Sequence, residues 1–155
     1  MPQNLKHKLV KSVLVYQWKT FTFFFEDFHN DYKAPVAVMD KILTQLDSKL
    51  YKPGEIMIQH NAEVKELTFI EQGKCNLFGF WPSKERENEF QKLLIVRLVE
   101  KSWYGDAQIL LNINSPFQLE AGEVRSKTSK SRQNTLNDYV HCYKLNGRTL
   151  KNICK

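Results

Sequence analysis

Tyr51-Lys52-Pro53-Gly54-Glu55-Ile56-Met57-Ile58 is the stretch at which the pattern of the chain changes. Pro53 fixes φ and Gly54 supplies a positive φ, so the pair sets a tight turn between two kinds of sequence. Ahead of it, Val36, Met39, Ile42, Leu43, Leu46 and Leu50 recur at intervals of three and four behind Pro35. Proline is tolerated in a first helical turn, and the spacing predicts a helix of about four turns. Beyond the turn, short apolar runs are closed by Gly, Asn or charged loops. They predict strands at Ile56–Gln59, Leu67–Glu71, Cys75–Trp81, Leu93–Val99 and Val140–Leu145. Helices first and many short strands afterwards predict an α+β chain with a helical lead-in to a sandwich or barrel.

Towards the N-terminus, Leu5, Leu9, Val13 and Tyr16 stand at helical spacing among Lys6, Lys8, Lys11 and Lys19, the pattern of an amphipathic helix. Phe21, Phe23, Phe24, Phe25 and Phe28 follow, too many large rings to leave in water. They are expected to cover apolar surface, in the adjacent domain sooner than on a neighbouring subunit. Residues 82–92 mix both signs of charge and predict a solvated hairpin connection. Residues 122–138 are rich in Ser, Thr, Lys and Arg and bury too little apolar area to order alone, so a mobile loop is expected there. After Val140–Leu145, Gly147 to Cys154 predict the start of a short helix.

Composition narrows the class. A chain of 155 residues, 42% hydrophobic and 26% charged, is that of one soluble domain with an appendage, and no apolar run is long enough to span a bilayer. The first residues show no signal peptide or lipidation motif, which makes cytosol the default. Cys75, Cys142 and Cys154 have no C-x-x-C spacing, so neither a disulfide framework nor a zinc site is expected. The net charge of +6 reads as a generic basic surface, not a dedicated nucleic-acid site. His7, His29, His60 and His141 are scattered, there is no nucleophile elbow, and His141 and Cys142 point to opposite faces of a strand. No catalytic residue and no enzyme activity are expected.

Three motifs in order carry a resemblance: Tyr51-Lys52-Pro53-Gly54-Glu55-Ile56, then Leu67-Thr68-Phe69-Ile70-Glu71-Gln72-Gly73, then Trp103-Tyr104-Gly105-Asp106 with Ile109-Leu110-Leu111. The stretch from Leu50 to Leu111 resembles the cyclic-nucleotide-binding domain family. The resemblance implies an antiparallel β-roll of the double-stranded β-helix or jelly-roll kind, with N-terminal helices before it and a short C-terminal helix after it. Met1-Pro2-Gln3-Asn4-Leu5-Lys6-His7-Lys8-Leu9-Val10 resembles the last part of the C-linker of hyperpolarisation-activated, cyclic-nucleotide-gated and ether-a-go-go type channels. Together they imply a C-linker-like segment over 1–34 and the β-roll with its leading helix over 35–155. The implied protein is a tetrameric cation channel, of the potassium kind by the same resemblance, with this chain on the cytoplasmic side and touching neighbouring subunits through the N-terminal helices.

In that family the phosphate cassette holds a cyclic nucleotide through backbone N–H groups at a short helix start and through one arginine. Carried over, the candidate ligand residues are Tyr104, Gly105, Asp106, Ala107, Gln108, Phe117 and Gln118. The pocket departs from the pattern in several ways. No arginine occurs from Asn112 to Ala121, and Glu120 adds a negative charge. Asp106 is a methylene shorter than the family's glutamate and is followed by a longer spacer. Gln59-His60-Asn61 replaces Arg-Glu-Gly. A scaffold contributing to assembly and gating, with no cofactor, is therefore expected; a working cAMP or cGMP sensor in a channel or a soluble signalling protein is the alternative. Arg125, Lys127, Lys130 and Arg132 read as a solvated insertion, with contact to anionic lipid as a further option.

Overall fold

Helical backbone at residues 41–44 gives way at Leu46 to the first strand, β1 (Leu46–Tyr51). The protein is described by a computed structural model over residues 41–84, 89–122 and 139–153. The expected N-terminal helix, the phenylalanine cluster and the 123–138 loop lie outside those residues. The helix predicted up to Leu50 stops early: Leu46 and Leu50 sit in β1, and Leu50 is 49% exposed. The reason is tertiary. β1 pairs with β8 (Val140–Asn146) from Leu46↔Leu145 to Tyr51↔Val140, a ladder that satisfies its backbone groups and that local periodicity does not register.

The remaining strands are β2 (Ile56–Ile58), β3 (Glu66–Gln72), β4 (Cys75–Pro82), β5 (Phe90–Leu98), β6 (Trp103–Tyr104) and β7 (Gln118–Ala121). They form two four-stranded antiparallel sheets, in the orders β1-β8-β3-β6 and β2-β7-β4-β5. The five expected strands are present; β1, β6 and β7 are additional. The connection between β4 and β5 is a hairpin, as the mixed charges predicted, and the Ser83 N–H donates to the Glu89 carbonyl across it at 2.7 Å. At the turn quoted above, Gly54 has φ of +81° and its N–H donates to the Ala121 carbonyl at 2.7 Å, tying the turn to the end of β7.

Beyond residues 41–44, the described residues hold two helices, α1 (Asp106–Leu111) and α2 (Gly147–Ile153). Alternation along β3 and β8 sorts the apolar residues into two cores. Leu67, Phe69 and Leu145 face outward, under Ile42, Leu43, Ile109 of α1 and Leu150 of α2. Ile70, Val140 and Cys142 face inward, against Cys75, Leu77, Leu119 and Ala121 of the second sheet. The first sheet is thus covered on both faces. In the second, β5 is an edge strand whose apolar residues Leu93, Leu94, Ile95 and Val96 are all exposed in the described residues.

Candidate functional site

The segment that links the two sheets runs from β6 through α1 to β7, and Gly105 starts it. Its φ is +112°, and a Cβ there would lie 2.9 Å from Val64 Cγ1 and 3.2 Å from the Glu66 carbonyl oxygen. Both backbone conformation and space exclude a side chain. Asp106 follows in the first helical turn, where a negative charge is favoured by the helix dipole, and it accepts a hydrogen bond from Trp103 Nε1 at 3.4 Å. The helix ends at Asn112, in the left-handed conformation, with its N–H on the Gln108 carbonyl.

The return to β7 is held by the loop between β2 and β3. The Asn61 N–H donates to the Ser115 carbonyl at 2.7 Å, and the Ser115 N–H to the Ala62 carbonyl at 2.8 Å. Asn61 carries φ of +61°, a conformation asparagine tolerates better than most residues, so it can stand in a position where the resembled family has glycine. Ser115 is fully buried. Its hydroxyl shares a 2.6 Å hydrogen bond with Tyr104 and donates to the Phe117 carbonyl at 2.7 Å. Burial raises the Tyr104 pKa, and the bond to Ser115 works against that rise.

These contacts separate the residues proposed from sequence. Tyr104 and Phe117 pack into the inter-sheet core, whereas Gly105 and Asp106 stand at the helix start. Ala107 is exposed, and Gln108 lines a groove of about 720 Å³ outside the roll, between α1 and α2, with Val64, Lys65, Arg148 and Lys151. Gln118 lies on the face of β7 opposite Leu119 and Ala121, and its amide bonds to Glu120. Glu120 shares that outer face and pairs with Lys92 of β5, whose ammonium lies 4.2 Å from the centre of the Phe78 ring. The negative charge read as a threat to an anion in the cassette is thus matched outside the roll.

A group that sequence reading passed over stands inside. Lys144 is 3% exposed, on the inward face of β8 that also carries Val140 and Cys142. Its ammonium donates to Thr68 Oγ1 of β3 at 2.7 Å and lies 5.3 Å from the Tyr51 ring centre. Burial pushes its pKa below the ordinary lysine value, with the charges of Cys142 and Glu66 opposing. The parity of Val140, Cys142 and Lys144 was the available signal: once β8 has its inward face, every second residue follows. Nearby, Cys75 and Cys142 are free thiols, and their mutual hydrogen bond, more than burial, pushes Cys75 up and Cys142 down. Among the described residues no cluster of His, Cys, Asp and Glu suits a metal, and no helix is long and apolar enough to cross a membrane.

No protein-family model matches the chain, and no curated protein matches its sequence. Solved structures do. The regulatory domain of Toxoplasma gondii protein kinase A with cAMP superposes at a TM-score of 0.68 with 8% identity, over 97% of this chain and 46% of that one. The regulatory subunit of a cAMP-independent protein kinase A from Trypanosoma cruzi, bound to guanosine, gives 0.66 and 16%, over 96% and 42%. A triple mutant of the corresponding Trypanosoma brucei subunit, bound to cAMP in its A site, gives 0.62 and 17%, over 96% and 43%. The chain spans less than half the length of each of these neighbours. At such identities the likeness is one of fold: two antiparallel sheets, a cassette helix between β6 and β7, and a closing helix make this chain a β-roll of the cyclic-nucleotide-binding type.

Proposed function

We propose that this β-roll is a cyclic-nucleotide-binding homology domain that has lost the phosphate site and serves as a non-catalytic scaffold, in assembly and gating, within a larger protein. The observation that carries the reading is the turn from Asn112 to Phe117. It supplies no cation, its buried serine is already engaged by Tyr104 and Phe117, and a buried phosphate with no cationic partner is costly. The reading of that larger protein as a tetrameric cation channel rests on the resemblance of residues 1–34 to a C-linker, with neighbouring subunits as its partners and contact to anionic lipid through residues 122–138 as a further option. Isothermal titration with cAMP and cGMP to millimolar concentration tests it. Silence in the native chain is expected; heat at micromolar ligand would make the domain a working sensor.

A second reading has a specific observation in its favour. Asp106 keeps a carboxylate at the helix start while the arginine is gone, a combination suited to a sugar hydroxyl without a phosphate. One solved neighbour is a cAMP-independent regulatory subunit bound to guanosine, and in the mutant neighbour that binds cAMP one substitution introduces an arginine. Titration with guanosine separates the two readings. Heat with guanosine and none with cAMP assigns a neutral nucleoside; silence with both leaves the scaffold.

A further inference from the structure

We propose that the mouth between β2, β3 and β8 is a binding site for a small monoanionic carboxylate with a short apolar tail, anchored by the buried ammonium of Lys144. The cavity there measures about 250 Å³, and none of the cassette residues from Tyr104 to Gln118 lines it. Met57, Ile58, Ala62 and Val64 supply apolar wall, and Lys144 is part of the lining. Gln59, which stands where the resembled family has arginine, also lines the cavity, so the site borders the nucleotide pocket without using the cassette residues.

The charges around the cavity decide the sign of the ligand. Glu66 pairs with Lys49 at 3.3 Å while its charge also acts on Lys144, and Glu63 pairs with Lys65 at 3.8 Å, so each carboxylate on the wall already has a cation within reach. Asp47 stands opposite Lys144 in the β1–β8 register, but it is exposed and forms no ion pair with Lys144. Among the described residues, what remains is one ammonium, 3% exposed, whose donors meet a single hydroxyl, on Thr68, and an aromatic ring. A buried cation with so few partners is costly, and an anion within reach converts that cost into affinity. A single charge calls for a monoanion. The apolar wall calls for a hydrocarbon body, and the volume limits it to a few carbons beyond the carboxylate.

The test uses the full chain, titrated with sodium butyrate against sodium chloride at matched ionic strength, observed by NMR of the lysine side-chain ammonium groups and of the backbone. The expected result is saturable one-to-one binding that moves the Lys144 ammonium signal and the amides of residues 57–66. Lys144→Met should weaken it at least tenfold. Ala62→Phe, which leaves the lysine in place and fills the cavity, should do the same. An unchanged spectrum with butyrate, or equal affinity in both variants, overturns the proposal. Tighter binding of inorganic phosphate than of butyrate overturns the assignment to a carboxylate.

Discussion

The two faces of the first sheet differ in kind. The outer face, under α1, α2 and residues 42–43, is apolar throughout its buried cluster, whereas the inner face sets Thr68, Lys144, Tyr104 and Ser115 among the aliphatic and thiol groups. Both are buried, so water does not explain the contrast. The outer face stabilises the roll by excluding apolar area alone, while the inner one carries polar groups at a cost that packing does not require. A roll that needed only to be stable would use aliphatic residues on both sides, so the inner face is where binding is to be sought.

Four measurements sharpen or break this contrast, from the largest effect to the smallest. Phe69→Ala, on the outer face, should cost roughly 3–5 kcal/mol of unfolding free energy in urea titration; a loss below 1 would mean the helical cover contributes little. Ser115→Ala leaves the buried Tyr104 hydroxyl without its hydrogen-bond partner and should cost about 1–3 kcal/mol, with Tyr104→Phe in the same background recovering part of the loss. Lys144→Met should leave stability unchanged or raise it by up to about 2 kcal/mol, because a buried cation gives way to an apolar chain of similar shape. A clear loss in that variant would show that the ammonium holds β1, β3 and β8 of the first sheet together.

The smallest effect is in the alkaline range, and its sign follows from linkage. Lys144 has a lowered native pKa, so between that value and the unfolded value the unfolded chain binds more protons, and stability rises with pH. Tyr51 is pushed the other way, to about 12, by burial and by Cys142 and Glu66; its contribution is present below 10 and is lost as pH climbs towards 12. Thermal unfolding from pH 8 to 11 should therefore show a rise followed by a fall. In Lys144→Met the rise should shrink to what the lowered Cys142 thiol contributes, and an undiminished rise would assign it to another group.

How much of this was legible beforehand depends on the range of the interaction. The turn at Pro53-Gly54 and the strands β2, β3, β4, β5 and β8 were readable because turn residues and apolar runs act over a few neighbours. β1 was hidden beneath a helical spacing of leucines that its pairing with β8 overrode. The two residues of β6 and four of β7 are too short to carry a periodicity. In the candidate site, the glycine at 105 and the carboxylate at 106 came from the motif itself, and the fold places both at the start of α1. The facing of Gln118 and Glu120 depended on the parity of β7, which no run of four residues declares.

Sequence alone determined the order of turns and most strands and the lack of a cation from Asn112 to Ala121, since each is a matter of residue identity at short range, while the β-roll was implied only by the resemblance of three motifs. Only the tertiary structure decided which face of each strand points inward. That choice placed Glu120 beside Lys92 outside the roll and Lys144 beside Thr68 within it. The physical reason is the two-residue period of a strand: a shift of one position exchanges core for solvent, and the register is set by partners as far apart as Thr68 and Lys144.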